Sequence, residues 1–352
     1  MRKFILAFLS IISIIPFVMA CGHDEEFFDD LIVRTDTLYR NDTIFHTDTT
    51  YINGDTIITN DTIIKTDTIV NKDTVVAQEN IKQPDSLMST DIILTYYMNP
   101  RSSSGTLQGA ASYDNYLFQF NHSNNKIFIC DLSSKQYINT IELPAVSSNH
   151  CNNISFSNIF YDKGDDFPLL YVSGSNSGTY NHVQVYRITK SQDYFQFIKI
   201  QEIILPESSD YNYLYWTGVV LDNENNYMYV YANYYNGEIA KFKIPNIHRE
   251  EVILTNSDIL DLFPVWGFTH QQGAIIKNSI MYVLDGIPAQ GDTNYLRLIN
   301  LKEKKDQIIY NLSEAGYGNY EYEGITFYND STILVTTNNN KGIYSVSLNI
   351  SK

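Results

Sequence analysis

The chain has 352 residues, with 40 Asp and Glu against 24 Lys and Arg and a formal net charge of −16. With no basic patch in any segment, this balance argues against a nucleic-acid partner. Its cysteines, Cys21, Cys130 and Cys151, form no CxxC pair, which argues against a structural zinc site, and no apolar run of membrane length follows residue 20.

The chain opens "MRKFILAFLSIISIIPFVMAC". Arg2 and Lys3 form a basic start, Phe4 to Phe17 is an apolar run, and small Ala20 precedes Cys21. Residues 1–20 are therefore read as a secretory signal. The text "VMAC" resembles a bacterial lipobox, which implies that Cys21 is lipidated on sulfur and becomes the new N-terminus; an ordinary signal peptide or an uncleaved anchor is the alternative. Several acyl chains, at about 0.8 kcal/mol per buried CH₂, make a stable membrane anchor. Residues 21–33 form an acidic leader whose "GHDEEFFDD" resembles the surface-export signal of Bacteroidota lipoproteins. That resemblance implies the outer face of the outer membrane, with a leader facing the periplasm as the alternative.

Residues 34–91 are dominated by Asp-Thr followed by an apolar or β-branched residue, at steps of six residues with one step of seven. Six is not a helical period, and Thr, Ile and Val favour extended backbone. Each face of such a strand mixes polar and apolar side chains, so a packed sheet is poorly specified. Asp-Thr before Leu, Ile, Val or Thr resembles the O-glycosylation sequon of Bacteroidota. The resemblance implies glycans on Thr37, Thr43, Thr49, Thr56, Thr62, Thr68 and Thr74, and on Ser86 in "DSL". Solvated sugars oppose compaction, so this segment is read as an extended tether. At roughly 3.3 Å per residue, residues 22–91 span at most about 230 Å. A β-shaft is the alternative.

From residue 92 to 352 the text becomes short apolar or aromatic runs separated by Asn, Asp, Gly and Ser. Such spacing predicts an all-β domain. "QGAASYDNYLFQF" from Gln108 and "QGAIIKNSIMYVL" from Gln272 repeat one pattern, and related units begin near "NNISF", "WTGVVLDNENNYMYVY" and "YEGITFYNDSTILVTT". Units of roughly 40–55 residues suit the four-stranded blades of a β-propeller, five by this count, with six the neighbouring count. The strand from Asp91 to Tyr97 is expected to pair with "GIYSVSL" and close the ring. A short helix with Ser257 as cap is expected over Ser257 to Phe263, and Asp165-Asp166 reads as a solvated loop. In "YMYVY", Tyr227, Tyr229 and Tyr231 share one face, with Met228 and Val230 on the other. Cys130 and Cys151 are expected as buried free thiols, with a disulfide the alternative in an exported protein.

In a propeller the inner strands begin around the axis, where ligands usually sit. The residues at those starts are Gln108, His150, Asn152, Asn153, Trp216, His270, Gln271, Gln272, Glu321 and Glu323. Such a ring of amides, imidazoles and carboxylates offers oxygen ligands to Ca²⁺, and a metal there polarises a lactone or phosphoester and activates water. The text resembles the gluconolactonase, NHL and related propellers, with "EYEGITFYNDSTILV" the best local element. That resemblance implies axial Glu and Asn ligands, here Glu323 and Asn152 or Asn153, but no Asp stands in a matching motif. The alternative is that Gln-Gly and Glu-Gly bond neighbouring backbones and allow tight turns. The Tyr-rich stretches also suit sugar faces, although Tyr is simply a good strand residue. The leading expectation is a surface lipoprotein that binds a carbohydrate or a protein without catalysis. A Ca²⁺-dependent hydrolase of a lactone or sugar derivative is the second reading, and a structural scaffold the third.

Overall fold

The structure, a computed structural model, describes the backbone at 33–40, 43–52, 55–63 and 72–77. It also describes residues 88–348 except 90, 100–106, 122–124, 145–150, 152, 176–180, 193, 207–217, 232–237, 266, 316–318, 330–331 and 339–340. The chain divides into two units, Met1–Glu79 and Asn80–Lys352. In the first, strands β1 (Val33–Arg40), β2 (Thr43–Ile52), β3 (Asp55–Ile63) and β4 (Lys72–Ala77) pair in chain order as an antiparallel meander. The backbone is extended, as β-branched residues favour. Thr37, Thr43, Thr49, Thr56, Thr62 and Thr74 fall on these strands, whereas Thr68, Ser86, Cys21 and the residues before Val33 lie outside the described residues.

The second unit is a five-bladed β-propeller. Within it, strands β5 (Met88–Ser89) and β6 (Ile92–Met98) precede the first blade in the chain. Blade 1 contains β7 (Leu107–Tyr113), β8 (Tyr116–Asn121), β9 (Lys126–Asp131) and β10 (Gln136–Glu142). Blade 2 contains β11 (Ile154–Phe156), β12 (Leu170–Ser175), β13 (Asn181–Ser191) and β14 (Tyr194–Ile204). Blade 3 is built from β15 (Gly218–Asp222), β16 (Tyr227–Tyr231) and β17 (Glu238–Lys243). After the three-residue β18 (Glu251–Ile253), β19 (Asp261–Pro264) completes it. Blade 4 contains β20 (Gln271–Lys277), β21 (Ile280–Asp285), β22 (Tyr295–Asn300) and β23 (Lys305–Asn311). Blade 5 contains β24 (Tyr322–Phe327), β25 (Ile333–Thr337) and β26 (Ile343–Leu348), and β6 supplies its outer strand.

That last pairing closes the ring as the sequence predicts. Strand β6 runs antiparallel to β26, with Leu94 opposite Val346 and Ile92 opposite Leu348. Ile92, Leu94 and Met98 are buried by it. Two outer edges are covered by short parallel strands, β18 against β14 and β5 against β23. Covered edges do not template pairing with other chains.

Apolar residues alternate along the strands so that each seam between blades has its own core. Along β16, Met228 and Val230 face blade 2, while Tyr229 and Tyr231 face blade 4. The stripe of tyrosines is therefore packed core and not a platform for sugars. Cys130 and Cys151 are both buried and free. Burial pushes the Cys130 thiol up to about 12 and raises that of Cys151 as well, so neither is a ready nucleophile.

Two local expectations are corrected. The helix over Ser257 to Phe263 does not form. A single 3₁₀ turn, Asn256–Asp258, stands there, and Asp261–Pro264 becomes the outer strand of blade 3. Asp258 fixes the turn by accepting from Thr255 N at 2.7 Å and Thr255 Oγ1 at 2.8 Å. Seven residues are too few for an isolated helix, and the free edge of β17 offers backbone partners instead. In the loop before β12, Asp166 is exposed but Asp165 is not solvated. Its carboxylate is buried and accepts from Arg187 Nη2 at 2.6 Å and Nε at 3.1 Å.

Candidate functional site

The inner strands β7, β11, β15, β20 and β24 are neighbours in that order around the axis, and β24 returns to β7. Three of them begin with an irregular register, between Leu107 and Ala110, between Gln271 and Ala274, and between Tyr322 and Gly324. Bulges of this kind re-aim side chains next to functional sites. At each of them a glycine brings two blades into backbone contact. A Cβ built on Gly109 would lie 2.6 Å from Asn153 Cα, one on Gly273 2.6 Å from Glu323 O, and one on Gly324 2.6 Å from Ala110 N. Only glycine fits these approaches.

Asn153 stands where those strands carry glycine, and its side chain crosses the axis. Its Nδ2 donates to Val219 O at 2.9 Å and Ala274 O at 2.9 Å, tying blade 2 to blades 3 and 4. The Tyr231 hydroxyl donates to Gln272 O at 2.8 Å, joining blade 3 to blade 4.

Beside this plug lies a cluster of amides and carboxyl groups from three blades. Gln108 Nε2 donates to Glu323 Oε1 at 3.1 Å. Asn338 Nδ2 donates to Glu321 Oε2 at 2.7 Å and Glu323 Oε1 at 3.2 Å, and Gln272 Nε2 reaches Glu321 Oε1 at 3.5 Å. Gln108, Gln272, Glu323 and Asn338 are buried, and Glu321 is half-buried. Burial holds the Glu323 carboxyl well above the usual carboxylate range. The charge of Glu321 raises it further, as does a hydrogen bond to Glu321; donation from Gln108 opposes them. The pair therefore favours a state that keeps one proton. Three buried oxygens, Gln108 Oε1, Glu323 Oε2 and Asn153 Oδ1, have no protein donor.

The start of β20 is fixed by a second network. Asp285 Oδ1 accepts from Thr269 N at 2.9 Å and His270 N at 2.9 Å. Burial raises the Asp285 carboxyl, against the lowering effect of Arg297. Arg297 pairs with Asp306 at 2.6 Å, lies 3.6 Å from Asp285 Oδ2, and covers the Phe268 ring at 4.0 Å. His270 Nδ1 lies 2.6 Å from Asp292 Oδ2, which also accepts from Ile287 N at 2.9 Å.

Of the residues expected at the axis, Gln108, Asn153, Gln272, Glu321 and Glu323 come together in or beside the cluster. His270 and Gln271 stand at the start of β20, where His270 pairs with Asp292. His150, Asn152 and Trp216 lie outside the described residues. Asn338, Asp285, Asp292 and Arg297 were not anticipated. Arg297 leaves a signal, a lone charge inside the apolar strand "YLRLIN"; Asn338 is hidden in a run of asparagines. Among the described residues, no group of three or more His, Cys, Asp or Glu side chains gathers as metal ligands, so an axial cation would draw on amide oxygens.

No family model matches the chain, and no curated protein matches it in sequence. Among solved structures it is similar to Myxococcus xanthus glutaminyl cyclase, at 11% identity and a TM-score of 0.49, over 74% of this chain and 97% of that one. A structural genomics protein of unknown function from Bacteroides thetaiotaomicron VPI-5482 is similar at 11% identity and a TM-score of 0.44, over 89% and 87% of the two chains. The β-propeller domain of the Trilobed protease from Pyrococcus furiosus is similar at 7% identity and a TM-score of 0.29, over 88% and 79%. At these values nothing about chemistry transfers, and the propeller assignment rests on this chain's own strand pairing.

Proposed function

We propose that this protein is a cell-surface lipoprotein whose propeller binds a neutral, polyhydroxylated ligand, a carbohydrate, at the axial cluster without catalysis. In this reading Cys21 carries the lipid and the Asp-Thr segment, glycosylated on its threonines, holds the propeller away from the outer membrane. The observation that supports the binding site is the cluster of Gln108, Gln272, Glu321, Glu323 and Asn338. Amides and a carboxyl pair sharing one proton present donors and acceptors together at low net charge. A sugar hydroxyl is both donor and acceptor, and the cluster can satisfy both roles.

A second reading is favoured by the three buried oxygens without a donor, Gln108 Oε1, Glu323 Oε2 and Asn153 Oδ1. A hard cation such as Ca²⁺ takes oxygens of this kind. It would replace the proton between Glu321 and Glu323 and make the site that of a lactonase-like hydrolase. Metal content of the purified protein, followed by thermal-shift titration with Ca²⁺ and with neutral sugars, separates the two. Stabilisation by a sugar in the presence of chelator, lost in Glu323→Ala, is the expected result. A stoichiometric ion lost in Glu323→Gln selects the hydrolase. No response to either leaves the third reading, a scaffold for a protein partner.

A further inference from the structure

One strand position repeats through all five blades. The second residue pair of the inner hairpin is Ile154 opposite Val172 in blade 2, Val219 opposite Val230 in blade 3, Ala274 opposite Val283 in blade 4, and Ile325 opposite Val335 in blade 5. Each pair belongs to the apolar core shared with the preceding blade. In blade 1 the same pair is Ala110 opposite Gln119. The position that is valine in four blades is thus a carboxamide in the fifth. Gln119 is 1% exposed, and neither its Nε2 nor its Oε1 has a protein partner.

The facing wall differs in the same sense. On the side of each blade that meets the next one, Phe120 stands in blade 1, Tyr231 in blade 3 and Leu284 in blade 4, each packed into the following seam, while blade 2 places Ser173 there with its hydroxyl donating to Asn153 O at 2.8 Å. Blade 5 places Thr336 there, fully buried, with its hydroxyl 3.5 Å from Gly324 O. Gly324 lies against Ala110, the cross-strand partner of Gln119. The seam between blades 5 and 1 is therefore polar at its axial end, where Gln108 bonds Glu323, and apolar further out, where Leu117, Cys130, Leu334 and Ile343 meet. A buried amide with both atoms unpaired has lost its water partners without replacing them, and native proteins keep few such groups. Valine is the residue this fold uses when the position only has to pack.

We propose that the axial site continues into the seam between blades 5 and 1, and that Gln119, facing Thr336, reads one hydroxyl-bearing arm of the bound carbohydrate. The inference rests on the carbohydrate reading given above and adds a specificity-determining residue to it. An amide offers one donor and one acceptor to such an arm, which a valine at that place rejects. Ordered water is the other partner that such amide atoms accept.

The test uses the full chain and the substitution Gln119→Val, the residue of the other four blades. Neutral hexoses, N-acetylhexosamines and their monodeoxy derivatives are titrated by calorimetry against both proteins. The expected result is a melting temperature equal to or above that of the parent and about tenfold weaker binding of the parent's preferred sugar, the loss of one or two hydrogen bonds. The deciding readout is discrimination. The parent should reject one monodeoxy derivative that Gln119→Val binds as well as the intact sugar, which a purely structural role for Gln119 would not produce. Equal affinity and unchanged discrimination in the variant would assign the slot to water and overturn the inference while leaving the carbohydrate site standing. No binding by the parent would overturn both. If Gln119→Val fails to fold, Thr336→Val on the opposite wall takes its place with the same expected outcomes.

Discussion

The seam between blades 1 and 2 and the seam between blades 5 and 1 use equivalent strand positions and opposite chemistry. The first is aromatic. Phe118 meets Phe156 edge-to-face at 5.2 Å between centroids and Phe167 at 5.7 Å, while Phe195 and Phe197 complete the cluster. The second holds Ala110, Leu117, Cys130, Leu334 and Ile343 as its apolar part. The rest is hydrogen-bonded: Ser112 N donates to Thr326 Oγ1 at 2.8 Å, the Ser112 hydroxyl to Phe327 O at 2.6 Å, and Gln108 to Glu323. Repetition supplies five seams with an apolar core in each, and the core between blades 5 and 1 is the smallest. The one that departs is where the first and last blades meet and where Gln108 bonds Glu323 at its axial end. A repeat fold can surrender apolar area at one seam because the other four hold the ring.

This contrast can be broken most forcefully in the aromatic seam. Phe118→Ala should cost about 3–5 kcal/mol, the usual loss for a buried ring. Cys130→Ala in the seam between blades 5 and 1 should cost only about 1 kcal/mol; chemical denaturation of both variants checks the difference, and equal losses would erase the distinction. An intermediate effect is expected from Gly324→Ala. Its new methyl meets Ala110 and Thr336 Oγ1 at 2.6 Å, so the two blades must separate. A loss of about 1–3 kcal/mol is expected by overpacking, again read by denaturation. The smallest effect concerns the proton of Glu323. Its carboxyl is raised in the folded protein, so the folded state keeps a proton that the unfolded chain releases above about pH 4.3. The stabilisation is full below that pH and is lost as pH rises through the folded value. Glu323→Gln should flatten the decline in melting temperature across that interval. An unchanged pH profile would show that the carboxyl pair does not share a proton.

Much of the propeller was legible because its local signals repeat. Gln-Gly, Glu-Gly and the turn after each inner strand mark the blades, and the strand from Ile92 pairs with the last strand because blade 5 has only three strands of its own. The axial residues from inner-strand starts were legible for the same reason. Asn338 was not, since it lies just past the end of a second strand and meets Glu321 and Glu323 only once the hairpin has paired. Gln119 reads as one polar residue in an aromatic strand until the register aligns it with four valines. The helix expected at Ser257 failed because a local capping signal was weighed without the open edge of β17 beside it.

The ring closure has a consequence in time. Ser345 Oγ donates to Thr95 O at 3.3 Å across a sequence separation of 250 residues. Strand β6 is made before any blade and finds its partner only when the last blade is complete. Through the whole of synthesis an apolar strand, with Ile92 and Leu94 on one face and Met98 on the other, waits unpaired. Pairings this distant are slow to form and leave the chain open to aggregation while they are pending. The strand that secures the finished ring is thus the segment a holding chaperone would have most reason to shield.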